Sequence, residues 1–317
     1  MLCTMPEYLI FSTDVQFIGA AVRVSYSRGL IYALLSGVFL SSGGLMARFL
    51  DAADPWTVLF YRSLAFFATV LLFMFWRYRG ELIPRLRQIQ ARDLLVSVFL
   101  SLGFMCYLMS LYYTSVANTV LLLSTGPFFA ALLGLLILGE KVTRTTWLAM
   151  TVAMAGVVIM ISGDVSADDA VGMLLAVMAV LSYACMLVVL RSAKEHGGQS
   201  RELLPATALA GLLTALCSAP MIDSFVMSHS ELALSICFGT VQVGAGFILI
   251  TLAAKVVPAA QVALLGLTET ALAPVWVWLV FTETPGDNTL IGGLVIVAAV
   301  LYNGIAGVRN AASQVSE

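Results

Sequence analysis

Charge is what this chain lacks most. Of its 317 residues, 16 are lysine or arginine and 18 aspartate or glutamate, 11% in all, against roughly 25% in soluble domains. Histidine is nearly missing as well. His196 and His229 fall in loops on opposite sides, which leaves no histidine pair for an interior metal or proton relay, so zinc and haem are not expected. The five cysteines, Cys3, Cys106, Cys185, Cys217 and Cys237, are scattered and odd in number, and read as small packing residues, not as a disulfide framework. No glycine loop ends in Gly-Lys-Ser or Gly-Lys-Thr, so ATP is not the expected energy source. Paired intramembrane aspartates and a serine–histidine arrangement are both absent, so the chain is not expected to be an enzyme and no cofactor is expected.

What fills the chain is hydrocarbon, since apolar residues make up 61%. A bilayer core of about 30 Å needs about 20 helical residues. Apolar runs of that order can be drawn at 29–47, 56–76, 94–113, 118–138, 146–162, 171–190, 203–221, 232–253, 258–281 and 289–308. The predicted fold class is therefore all-α and integral to the membrane, with ten transmembrane helices. Residues 1–28 carry apolar pieces broken by Ser12, Thr13, Asp14 and Gln16, with Glu7 and Asp14 ahead of the first arginine, Arg23. That order does not suit a signal peptide, and the segment is expected to be a cytoplasmic leader.

A segment near the middle returns near the end. Asn118-Thr119-Val120-Leu121-Leu122-Leu123, then Pro127, then Gly139-Glu140 is matched by Gln261-Val262-Ala263-Leu264-Leu265, then Pro274, then Thr282-Glu283, 143 residues later. Asn118 and Gln261 each stand 22 residues before their glutamate. A duplicated apolar unit is the mark of many secondary transporters. With the N-terminus placed inside, 14 of the 16 basic residues fall in inside segments, leaving Arg48 and Arg62. Asp51, Asp54, Asp164, Asp168, Asp169, Asp223, Glu231 and Asp287 gather opposite, as the positive-inside rule demands. Five helices per unit, an odd number, then invert the second copy relative to the first. The expected arrangement is two inverted five-helix repeats around a central cavity, one spanning 29–162 and one spanning 171–308, with a cytoplasmic tail at 309–317.

On these motifs the sequence resembles the drug/metabolite transporter superfamily and, within it, the EamA-type transporters. The matching residues are Pro55-Trp56-Thr57-Val58-Leu59-Phe60-Tyr61-Arg62-Ser63, Pro127 through Gly139-Glu140, Gly156-Val157-Val158, and Pro274 through Glu283, over about residues 29–308. Thr282 departs from Gly139, and Pro274 lies nine residues before its glutamate where Pro127 lies thirteen before. The resemblance implies ten helices around a cavity, alternating access, transport of a small organic molecule across the plasma membrane, and a path lined by the first, third, fourth, sixth, eighth and ninth helices.

An ionisable group in hydrocarbon costs on the order of 3 kcal/mol on insertion scales and usually faces an interior cavity. Two residues fit that description. Glu269 is placed near the middle of the ninth helix, where it carries a coupling proton, binds a cationic substrate group, or is a structural acid held by Thr268, Thr270 or a neighbouring helix. Arg62 stands about seven residues into the second helix, roughly 10 Å below the outer interface. Its fork suits a carboxylate or phosphate, or else it pairs with Asp51 or Asp54 or reaches the headgroups. Arg48, at the end of the first helix, reads as an interface anchor.

Gln242 and Asn303 are candidates because a buried carboxamide needs partners, and Tyr107, Tyr183 and Trp276 as shapers of a pocket. Ser124 and Thr125 are weighed against the common alternative that such hydroxyls bond their own backbone. Pro127 and Pro274 should kink the fourth and ninth helices and are candidate hinges. Glu140 and Glu283 close those helices and are expected to be structural. The favoured function is a secondary transporter of an amino acid or amine-containing metabolite. An organic-anion transporter using Arg62 is the rival, and a sensor or receptor, for which only nine residues follow 308, is the different class. Expected partners are a small-molecule substrate and the lipid bilayer, with protons and a second copy of the chain left open; nucleic acid is not expected.

Overall fold

A computed structural model of the chain describes residues 27–79, 82–87, 89–139, 144–162, 167–195, 203–253, 257, 259–282, 286–288, 290–299 and 301–302, and every absence stated here concerns these. Most of the leader, Glu140, Glu283, Asn303 and the tail lie outside the described residues. Among the described residues there is no strand. The chain runs through α1 (Ser27–Phe49), α2 (Pro55–Tyr78), α3 (Ala91–Tyr113), α4 (Val116–Leu138), α5 (Arg144–Ile161), α6 (Ala167–Glu195), α7 (Leu204–Met221), α8 (His229–Ala253), α9 (Ala259–Phe281) and α10 (Leu290–Ala299). Seven of these, α1 to α4 and α6 to α8, hold spans long and apolar enough to cross a membrane. The three others contain shorter apolar helical stretches at Trp147–Ile159, Thr268–Phe281 and Leu290–Ala299. The chain is a multi-pass membrane protein.

Helix starts follow from short polar residues. Asp54 accepts from the Thr57 N–H at 2.8 Å ahead of Pro55, and Ser115 accepts from the Asn118 N–H at 3.1 Å. Ser228 and Glu231 cap each other reciprocally, the Ser228 N–H donating to Glu231 at 2.9 Å and the Glu231 N–H to the Ser228 hydroxyl at 3.2 Å. Each such cap satisfies amides that the first turn leaves bare, which contributes about 1 kcal/mol.

Three helices depart from regular geometry inside the hydrocarbon zone. α1 loosens at Ser42, ahead of Gly43 and Gly44, and the Ser41 and Ser42 hydroxyls take up the carbonyls of Val38 and Phe39, both at 2.7 Å. α4 breaks at Ser124-Thr125, because Pro127 has no N–H to close the turn below it, and the two hydroxyls bond Leu121 and Leu122 at 2.6 Å each. α8 widens to a π-helix over Phe238–Ala245. α9 carries its proline without a break: the helix continues from Ala259 to Phe281 through Pro274.

The helices pair as a swap of the two halves would require. α1 packs on α9 and α6 on α4; α2 packs on α8 and α7 on α3; α3 packs on α6 and α8 on α1. Exchanging each helix for its counterpart five places on maps these pairs onto one another. Three further pairs map onto themselves: α2 with α7, α4 with α9, and α5 with α10, where a Cβ on Gly156 would stand 2.7 Å from the Gly292 carbonyl. Smaller contacts of α3 with α1, α2 and α4, and of α4 with α5, have no counterpart of like extent among the described residues. The main core joins α1 to α4 and α6 to α9, with Phe66, Phe104 and Phe247 meeting edge-to-face at 5.3 to 5.8 Å. A smaller cluster around Leu122, Phe128, Ala153 and Ile296 ties α5 and α10 to α4 and α6.

Candidate functional site

Arg62 is carried into the protein interior by α2, and only 2% of it is exposed. Neither Asp51 nor Asp54 reaches it: Asp51 sits 3.7 Å from Arg48, and Asp54 caps α2. Its guanidinium instead lies 4.6 Å from the centroid of Phe238, 5.8 Å from Phe104 and 6.0 Å from Tyr107. A desolvated cation–ring contact contributes about 2 kcal/mol, the same order as the roughly 3 kcal/mol that an arginine costs at the bilayer centre. The rings therefore offset much of the burial without neutralising the charge. Its Nε has no hydrogen-bond partner.

Glycines make this geometry possible. A Cβ on Gly239 would fall 2.1 Å from the Arg62 carbonyl oxygen, so the π segment of α8 reaches α2 only because that position is bare. On α1 a Cβ at Gly43 would lie 2.5 Å from the Tyr107 hydroxyl and 2.9 Å from the Gln242 amide nitrogen. Gly103 likewise seats the Tyr183 ring against α3, since a Cβ there would come within 2.7 Å of it.

The Tyr107 ring lies 6.0 Å from the Arg62 guanidinium, one turn along α3 from the Gly103 against which Tyr183 packs. Glu269 itself is partly buried on α9 and has no ion pair within 4 Å. Two turns further along α9, the Trp276 indole N–H donates to Ser41 at the α1 break, 2.9 Å away. Gln242, 2% exposed, donates through Nε2 to the Leu40 carbonyl at 2.9 Å, and its Oε1 has no partner. Arg62, Tyr107, Tyr183 and Gln242 thus stand in one neighbourhood where α1, α2, α3, α6 and α8 meet, and Glu269 lies on α9, which packs on α1 and α4.

Ser124 and Thr125 hold their own helix together at the α4 break. Pro127 follows that break, and Pro274 lies within the unbroken α9, its side chain outside the described residues. Arg48 belongs to a separate polar cluster at the far end of α1, with its Nη2 3.5 Å from the Thr114 carbonyl and Thr114 donating to Asp169 at 2.8 Å.

Sequence reasoning missed Phe104, Phe238 and the backbone of Leu40. An aromatic in a membrane helix looks the same whether it faces lipid or a cation. The legible trace in the eighth helix was Gly244 and Gly246, small residues that allow backbones to approach closely, with no sign of a π-helix or of the part Gly239 plays.

The EamA-like transporter family model matches residues 27–162 and again 170–305, and the chain belongs to that family. It is 23% identical over 280 residues to the S-adenosylmethionine uptake transporter of Rickettsia prowazekii, covering 88% of this chain and 92% of that one. It is 25% identical over 280 residues to the pseudopaline exporter CntI of Pseudomonas aeruginosa, covering 86% and 94%. A crystal structure of a protein 16% identical aligns with a TM-score of 0.63 over 89% of this chain and 98% of that one, a likeness of fold alone.

Proposed function

We propose that this protein is a secondary transporter that moves a small organic metabolite, an amino acid or amine-containing compound, across the plasma membrane by alternating access. The observation that carries the reading is Arg62: a buried cation with no carboxylate partner among the described residues, in a protein whose α9 also carries an acid, Glu269, within its apolar length. Opposite charges kept apart in one interior suit a ligand that bears both signs, because each then finds a partner only when the ligand is present. The relatives, named for import of one metabolite and export of another, support a small-molecule cargo and leave direction open.

The architecture behind this is ten helices in two inverted five-helix repeats with both termini cytoplasmic. The swap-symmetric helix pairing supports it, and so does the basic-residue distribution. An inverted pair offers two near-equivalent conformations, one open to each side. The breaks in α1 and α4 are where those conformations would interconvert, with Pro127 the hinge. Glu269 binds the cationic group or carries a coupling proton.

A second reading, transport of an organic anion held by Arg62 alone, is favoured by the unpartnered Nε. Flux of labelled amino acids, amines and organic acids into liposomes separates the two. Uptake of amino acids or amines that Glu269→Gln abolishes supports the first; uptake of organic acids that only Arg62→Gln abolishes replaces it with the second. No flux of any class sends the protein to the sensor alternative.

A further inference from the structure

Gln242 has a feature that neither of those readings uses. Its carboxamide is clamped at one end and empty at the other: Nε2 donates to the Leu40 carbonyl at 2.9 Å, and Oε1 is buried without a partner. The orientation is not free to reverse. Turning the amide over would place its oxygen against the Leu40 carbonyl, two acceptors face to face, and leave both NH2 donors adrift. The oxygen is therefore the end presented to the interior without a partner, while one N–H of the NH2 group holds the Leu40 carbonyl. A buried acceptor left empty costs about 1 to 3 kcal/mol, a burden that persists where a ligand relieves it.

The backbone around it is specialised for that presentation. Gln242 sits inside the π segment Phe238–Ala245, and such widened turns recur at functional sites because they change which face a helix presents. The same segment places Phe238 under the Arg62 guanidinium at 4.6 Å. The carbonyl that clamps Gln242 comes from Leu40, two residues before the loosened turn of α1 at Ser42. Gly43, with no side chain, leaves the Tyr107 hydroxyl and the Gln242 amide side by side.

We infer that Gln242 is a specificity-determining residue, an oriented acceptor that selects ligands carrying an N–H donor, an ammonium above all, over ligands of the same shape without one. It rests on the transporter reading and adds to it a residue that acts on selection apart from Arg62 and Glu269. A site built to hydrogen-bond a donor rejects the analogue lacking it because the acceptor is then left unpaired. A hydrogen bond from a charged donor sets the scale of that discrimination at about 10 to 100-fold.

The test uses the purified full chain with a matched pair of probes, L-methionine and its deaminated analogue 4-(methylthio)butanoate, and reads the ratio of their dissociation constants by calorimetry. Gln242→Leu removes the acceptor. The expected result is a wild-type ratio of about 10 or more in favour of methionine. Gln242→Leu should bring it close to one with butanoate affinity unchanged. A fall in the affinity of both probes together would mark a merely structural residue and overturn the inference, as would a preference undiminished in a folded Gln242→Leu protein. Failure of the broader reading looks different. Neither probe binds wild type nor crosses a liposome, whatever stands at 242, and this inference falls with it.

Discussion

α4 and α9 occupy the same place in the two repeats, yet only one of them is broken. Both carry a proline, and both end on a left-handed residue at matching positions: Gly139 with φ 69° and Thr282 with φ 55°. The offset of 143 that relates those residues also sets Gly126 opposite Glu269. Where α9 bears its acid, α4 has a bare backbone facing open space, with nothing within 4 Å of an added Cβ, followed directly by Pro127 and the broken turn. Duplication kept the backbone plan and changed its detail. One copy holds a charge on a continuous helix, and the other has a broken turn. The same division separates α3 from α8: α3 is regular and supplies Phe104 and Tyr107, while α8 carries the π segment and Gln242.

Removing the charges tests the comparison hardest. Arg62→Gln or Glu269→Gln should weaken ligand binding about 100-fold, the worth of a charge-assisted hydrogen bond, measured by calorimetry on the purified protein. The reciprocal change, Gly126→Glu, should fail to rescue Glu269→Gln, since it sets the acid on the broken helix of the other repeat. Next in size is packing. Gly239→Ala presses a methyl against the Arg62 backbone, which cannot yield as a side chain can, and should cost about 2 kcal/mol or more in thermal or chemical unfolding.

The broken turn comes third. Pro127→Ala restores the missing helix bond and should slow transport roughly tenfold, about 1.4 kcal/mol of barrier, with ligand affinity unchanged, whereas Pro274→Ala should leave the rate near wild type. Equal slowing by both would make the two helices equivalent after all. The smallest effect lies at the helix ends. Thr282 is β-branched in a conformation that costs most residues about 1 to 2 kcal/mol, so Thr282→Gly should stabilise by about 0.5 to 1 kcal/mol once the chain entropy of glycine is set against it. Gly139→Ala should destabilise by about 1 kcal/mol. Unfolding midpoints in one detergent, compared for the pair, decide this.

Much of the site was legible in the primary structure, and the reason is energetic. Arg62 and Glu269 stood out because charge in hydrocarbon is costly and therefore rare, and Gln242 because a carboxamide there needs partners. Their neighbours were not legible for the opposite reason. Phe104 and Phe238 are two of 17 phenylalanines, and apolar surroundings impose no penalty that would single them out. Ser124 and Thr125 were candidates that turned inward to their own backbone, a choice that depends on the broken turn at Pro127 and not on residue type. The proline pair reads alike in the sequence, yet α4 has a broken turn ahead of Pro127 and α9 runs on through Pro274, a difference that residue type alone does not record.

By itself the amino-acid sequence determined that this is a multi-pass helical membrane protein of duplicated design, because bilayer thickness dictates the length of its apolar runs and repetition survives as spacing. It also determined which few side chains carry charge into the interior. The tertiary structure alone decided what those charges meet. Arg62 faces aromatic rings instead of the aspartates near it in sequence, and Gln242 is clamped by a carbonyl 202 residues away, because contacts between helices depend on which glycines let two backbones touch, and no periodicity along one helix records its neighbour.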